Sequence, residues 1–194
     1  MKKTIIAAFL MLVSLTSYAQ GLTWNAKAGL NMSSMSKVEE SKMHPGFYAG
    51  IGAEYAFDEI WSIRPSLLFT MKGVKQEYKG DKITFNPMYI EVPVMGAVTL
   101  PVTDAMNLVV STGPYFAFGI AGKMKEEYEG EKDDVDFFGD DAGKRFDLGW
   151  GVGVAAEFGK FFIDLKGEWG LTKVFDGDES PKNSNYSIGI GIKF

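Results

Sequence analysis

The chain of 194 residues contains no cysteine and one histidine, His44. Without cysteine there are no disulfides, no thiolate metal sites and no attachment point for a lipoprotein anchor. Basic residues are in deficit, 20 Lys and Arg against 25 Asp and Glu, a balance that argues against nucleic acid as a partner. Long apolar runs are missing too: beyond the first residues none approaches the roughly 18 needed for a membrane-spanning helix. What is present is 23 glycines and 14% aromatic residues, a composition of small and ring side chains rather than helix formers, in a length suited to one domain.

Lys2 and Lys3 precede an apolar run from Ile5 to Leu15, and Ser17-Tyr18-Ala19 places small residues where a signal peptidase reads. The expectation is a secretory leader over residues 1–19, cleaved after Ala19, and a single domain over residues 20–194. Taking Lys2 and Lys3 from the 20 basic residues leaves 18 against 25 acidic ones, a formal charge of −7.

The rest of the chain alternates with period two, as strands with one apolar face do. Eight strands are predicted: Leu22–Met32, Gly46–Phe57, Trp61–Lys72, Met88–Leu100, Leu108–Ile120, Phe146–Phe158, Phe161–Thr172 and Tyr186–Phe194. One face carries residues such as Trp24, Leu30, Ile51, Leu67, Val92, Val110, Val152, Leu165 and Ile190. The other carries glycine, hydroxyl and charged side chains. Pro87 and Pro93 disturb the fourth strand, because proline removes a ladder donor.

Predicted connections alternate between short (Asp58 to Ile60, Pro101 to Met106, Gly159-Lys160) and long (Ser33 to His44, Gly73 to Lys82, Gly122 to Arg145, Lys173 to Asn185). Transmembrane barrels keep short turns on the periplasmic side and long loops outside. On that phase Trp24, Tyr55, Phe57, Trp61, Phe158, Phe161 and Phe194 form an aromatic girdle at the short-turn end. Phe47, Phe69, Phe118, Phe146, Trp169 and Tyr186 form the other. The expected fold is all-β, an eight-stranded antiparallel up-and-down transmembrane β-barrel in the outer membrane, with the apolar face toward lipid. A soluble barrel with its apolar face inward is the alternative, and periodicity alone does not choose between them.

With lipid outside, the lumen receives Lys27, Glu54, Arg64, Lys72, Glu91, Asp147, Glu157, Asp164, Lys166, Glu168 and Lys193. Six acids against five bases predict a network of ion pairs, since an isolated buried charge is costly. Counting from Gly159-Lys160 puts Gly153 opposite Lys166 and Gly151 opposite Glu168, and the third and fourth strands are expected to bring Arg64 near Glu91. Eight strands enclose a space that side chains fill, which argues against a wide pore.

Enzymatic readings find little support, and no catalytic residue, cofactor or metal ligand is assigned. His44 is placed in the first long loop beside Ser33, Ser34, Ser36 and Ser41, so a His–Ser pair like those of lipid-modifying enzymes is conceivable, but solvation is the expectation. Asp164 and Glu168 could be paired acid and base carboxylates, yet Lys166 lies between them on the same face. The acidic stretch Lys125 to Asp136, with Asp140 and Asp141, reads as an exposed loop; its spacing is not that of an EF-hand.

The end of the chain, Ser187-Ile188-Gly189-Ile190-Gly191-Ile192-Lys193-Phe194, resembles the signal read by the barrel-assembly machinery, with Ser187, Gly189, Ile192 and Phe194 at its defining places. Ile63-Arg64-Pro65-Ser66-Leu67-Leu68-Phe69 with Lys72-Gly73, Tyr89-Ile90-Glu91-Val92-Pro93-Val94, and Ser111-Thr112-Gly113-Pro114-Tyr115 are similar to the outer-membrane β-barrel domain family of Bacteroidetes, the PorT-like small barrels. The resemblance implies an outer-membrane barrel of a Gram-negative cell envelope and no catalytic residues. Expected partners are the bilayer, lipopolysaccharide, the assembly machinery and an unidentified extracellular ligand or protein. The leading expectation is a non-enzymatic structural or interaction protein acting through extracellular loops. A narrow channel, a PorT-like secretion-associated component and a lipid A-modifying enzyme are the alternatives.

Overall fold

The computed structural model describes residues 21–36, 41–78, 81–128, 131–138, 143–175 and 181–194. The predicted leader, residues 37–40 and Asp140-Asp141 lie outside them. Ten strand segments follow one another: β1 (Leu22–Met35), β2 (Ser41–Ala56), β3 (Trp61–Met71), β4 (Gly73–Tyr78), β5 (Asp81–Thr103), β6 (Met106–Tyr128), β7 (Glu131–Asp136), β8 (Phe146–Phe158), β9 (Phe161–Gly170) and β10 (Asn183–Lys193). β3 and β4 are one wall strand interrupted at Lys72, since both pair with β2 on one side and β5 on the other. β7 and β8 likewise both lie against β6. The result is an eight-stranded antiparallel barrel, closed where β1 meets β10 in a register running from Asn25↔Lys193 to Met35↔Asn183.

The apolar face points outward. Leu67 is 43% exposed, Val152 42% and Ile190 66%, whereas Tyr48, Leu68, Tyr89 and Tyr115 are buried within the lumen. Trp24 is half-buried on the outer wall. Small features keep that wall smooth. The indole of Trp150 donates to Thr112 Oγ1 at 2.8 Å, and Trp169 folds over Gly167, where an added Cβ would meet Trp169 Cη2 at 2.9 Å.

Short turns close one end. Gly159 adopts φ +59° in the two-residue turn between β8 and β9, a conformation glycine takes without strain. Asp58 Oδ1 accepts from the backbone N–H of Ile60 at 2.8 Å and Trp61 at 2.6 Å, which holds its carboxyl below the usual aspartate range.

The opposite end departs from the sequence reading. The expected loops from Gly73 to Lys82 and Gly122 to Arg145 are largely strand: β4 and β5 form a ladder from Val74↔Phe85 to Tyr78↔Asp81, and β6 and β7 from Lys123↔Asp136 to Tyr128↔Glu131. The stretches from Ser33 to His44 and from Lys173 to Asn185 also shrink, because β1 continues to Met35, β2 starts at Ser41 and β10 at Asn183. β5 and β6 each have 23 residues, about twice the 9–11 that cross a bilayer, so they carry the sheet well past the membrane.

Candidate functional site

The lumen holds the chemistry, in three layers from the short-turn end. At that end Arg64, Glu54, Glu157 and Lys193 form a closed quartet. Arg64 reaches Glu54 Oε1 at 2.5 Å and Glu157 Oε1 at 2.8 Å, while Lys193 Nζ reaches Glu54 Oε2 at 2.7 Å and Glu157 Oε2 at 2.8 Å. Each carboxylate divides its two oxygens between the two cations, so the four charges cancel. Arg64 also donates to Ser62 Oγ at 3.2 Å.

The middle layer is built around Lys72 and Lys166. Lys72 Nζ lies 2.7 Å from Glu91 and 4.0 Å from Asp147, over the ring of Tyr115 at 4.4 Å and of Tyr89 at 5.7 Å. Lys166 Nζ lies 2.6 Å from Glu168 and 3.5 Å from Glu91. Neutral donors satisfy the remaining oxygens: Asn185 Nδ2 donates to Glu168 at 3.0 Å, and Tyr115 OH, Asn183 Nδ2 and Thr172 Oγ1 donate to Asp147 at 3.1, 2.8 and 2.8 Å. Ionic networks of this kind rigidify an interior, and here Lys72 Nζ and Glu91 Oε2 meet as an ion pair without a well-aligned hydrogen bond.

Two charged residues stand apart. Asp164 accepts the Tyr48 hydroxyl at 3.2 Å, and Lys27 makes no ion pair with the described residues. Both border an interior cavity of about 80 Å³ between the quartet and the middle layer.

The third layer is apolar. Phe137 and Phe138 turn back into the wide end, 2% and 8% exposed, and pack with Met35, Tyr89, Tyr115, Ala117 and Val174, flanked by Phe85 and Phe175. Their rings meet edge to face, Phe137 on Phe138 at 4.9 Å and Phe138 on Tyr89 at 5.7 Å. Arg145 fastens this plug by donating to the carbonyls of Gly119 at 3.0 Å and Phe138 at 3.2 Å. Gly119 and Gly143 leave room for it, since a Cβ on either would run into the Phe138 or Phe137 ring.

Sequence reasoning placed all eleven lumenal charges on the inner face, and nine of them make ion pairs. The Gly153↔Lys166 and Gly151↔Glu168 register is present. The Arg64–Glu91 pairing is not: β3 and β5 set Arg64 against Met95 and Leu68 against Glu91, so the two charges belong to different layers. His44 is also corrected. It lies in β2 rather than in a loop, opposite Ser33 and Gly73, and the Ser33 hydroxyl donates to Asn185 Oδ1 at 3.0 Å. The plug was missed altogether. Two adjacent aromatics inside an acidic stretch were the available signal.

The three motif segments fall side by side on β3, β5 and β6, through Phe69↔Ile90, Pro65↔Val94 and Pro93↔Tyr115. Arg64, Glu91 and Tyr115 from these motifs each enter the lumenal network. Among the aromatic residues assigned to girdles, Phe57, Trp61, Phe161 and Phe194 are exposed at the short-turn end, with Tyr55 and Phe158 beside them. Phe47, Phe118, Phe146, Trp169 and Tyr186 are exposed toward the other end. Ser187 and Gly189 face inward, Ile192 and Phe194 outward.

Glycines set how closely the lumenal groups approach. An added Cβ on Gly189 would fall on the Tyr48 hydroxyl and 2.8 Å from Asp164 Oδ1. Gly189→Ala is therefore expected to destabilise the barrel by about 1–3 kcal/mol through overpacking. Adding Tyr48→Phe should restore part of the loss in urea unfolding, and an unchanged deficit in the double variant would contradict this.

Residues 18–176 match the family model described as outer membrane protein beta-barrel domain. No curated protein is matched. Among solved structures, the chain is similar to the attachment invasion locus protein Ail of Yersinia pestis, with 17% identity and TM-score 0.46 over 89% of this chain and 98% of that one. Neisserial surface protein A aligns at 12% identity and TM-score 0.49, over 90% and 98% of the two chains. The N-terminal β-barrel domain of Pseudomonas aeruginosa OprF aligns at 11% identity and TM-score 0.40, over 90% and 98%.

Proposed function

As the chain belongs to the outer membrane protein β-barrel domain family, we propose that it acts as a sealed, non-enzymatic barrel that anchors an ordered extracellular platform for interaction. The observation that carries this reading is the filling of the lumen. A salt-bridged quartet, a buried ionic layer and an aromatic plug follow one another along its axis, leaving an interior cavity of about 80 Å³. A wall of eight strands is just wide enough for such filling. Purified protein in planar bilayers is expected to show no stable conductance, and well-defined open steps would overturn the reading.

We further assign the exposed rings at the two ends to the membrane interfaces, where aromatic side chains settle, and Ser187, Gly189, Ile192 and Phe194 to recognition by the barrel-assembly machinery. Lipopolysaccharide is the proposed neighbour of the outer ring. The motif segments on β3, β5 and β6 support placement among the PorT-like small barrels. They supply the lumenal network of the sealed barrel rather than a secretion route.

A further inference from the structure

We propose that β7 (Glu131–Asp136) is a docking edge onto which a positively charged, extended segment of another protein adds as a further strand. The proposal rests on the reading of the barrel as an interaction protein and names the kind of partner it would take.

β7 pairs with β6 through all six of its residues, from Lys123↔Asp136 to Tyr128↔Glu131. Among the described residues no strand pairs with its other side, whereas every other strand segment has a neighbour on both sides. The reason lies in the wall: β9 ends at Gly170, so it does not rise beside β7. An edge of this kind presents unpaired N–H and C=O groups, a template for one more strand.

Its composition selects the occupant. Glu131, Asp133, Asp134 and Asp136 outnumber Lys132; on the adjacent strand Lys123 and Lys125 stand opposite Asp136 and Asp134 while Glu126 and Glu127 add to the acids, so six acids face three bases over β7 and the stretch of β6 it pairs with. Two such edges repel, which disfavours a second copy of this chain, while lysine- or arginine-bearing strands are attracted. The edge is also held in place. Phe137 and Phe138 follow β7 directly and are packed into the barrel mouth, so little ordering remains to be done when a partner arrives.

The test uses the folded full chain in lipid nanodiscs and two short synthetic peptides alternating lysine with valine, one of them N-methylated on alternate backbone nitrogens. Both carry the same charge, but the methylated one cannot complete a ladder. The unmodified peptide is expected to bind about tenfold or more tightly than the methylated one, read by fluorescence anisotropy. Asp133→Lys combined with Asp134→Lys should abolish the difference while the barrel keeps its heat-dependent gel mobility. Equal binding of the two peptides would show charge attraction without strand addition, and no binding would show no edge site. Either result overturns the proposal. Conductance is read separately, so failure here leaves the sealed-barrel reading standing.

Discussion

Exchange of Lys72 for methionine is expected to lower the unfolding free energy of the barrel by about 3–5 kcal/mol, the cost of leaving a buried charge without its partner. The Lys72 side chain is 2% exposed and that of Glu91 1%, so neither has water to fall back on. Without the ammonium group, Glu91 keeps only Lys166 at 3.5 Å, and Lys166 is already engaged by Glu168 at 2.6 Å. Tyr115 and Tyr89 lose the cation above their rings as well. The double variant Lys72→Met with Glu91→Leu should recover much of the loss, because apolar groups of similar volume often replace a buried pair at little cost. Urea unfolding in lipid, followed by tryptophan fluorescence, distinguishes the cases. A double variant as unstable as the single one would mean that packing, not charge, sets the value of this position.

Phe137→Ala is expected to weaken the end opposite the short turns by about 3–5 kcal/mol, the range for deleting a buried phenylalanine ring. Phe137 is 2% exposed and makes edge contacts with its neighbour Phe138 and with Phe85 and Phe175, which come from separate parts of the chain. Its own backbone accepts from Gly143 N–H and donates to the Gly122 carbonyl. The loss should be local. Amide exchange over β4, β6 and β7 should accelerate while the ladders near the short turns, tied by the Arg64 quartet, stay protected. Uniform acceleration along the barrel would refute the separation between the apolar layer and the ionic ones.

The legibility of the fold in the sequence follows the contrast between lipid and lumen. β8 has the limits expected of it, Phe146 and Phe158, because every outward residue there is apolar and every glycine or acid points in. The stretch Lys123 to Glu127 belongs to β6 but carries almost only polar residues, and period two leaves no trace where polar residues occupy both alternating positions. The sequence pattern therefore ends the strands where the apolar alternation stops. Registers behaved similarly. The two-residue turn at Gly159-Lys160 fixes the pairing of β8 with β9, but β3 and β5 read as separated by a long loop from Gly73 to Lys82, which offers no tight turn to count from, so Arg64 and Glu91 are not aligned by counting. The ionic layers were visible as a set of residues and not as partners.

Several of the lumenal contacts join strands that are not neighbours in the wall. Arg64 on β3 holds Glu157 on β8, Glu91 on β5 holds Lys166 on β9, and Tyr48 on β2 holds Asp164 on β9. They act as spokes across a hoop. Backbone ladders alone resist stretching of the rim but allow a cylinder to ovalise. Cross-bracing at two heights removes that soft deformation, so the section should stay round when lateral pressure or bilayer thickness changes.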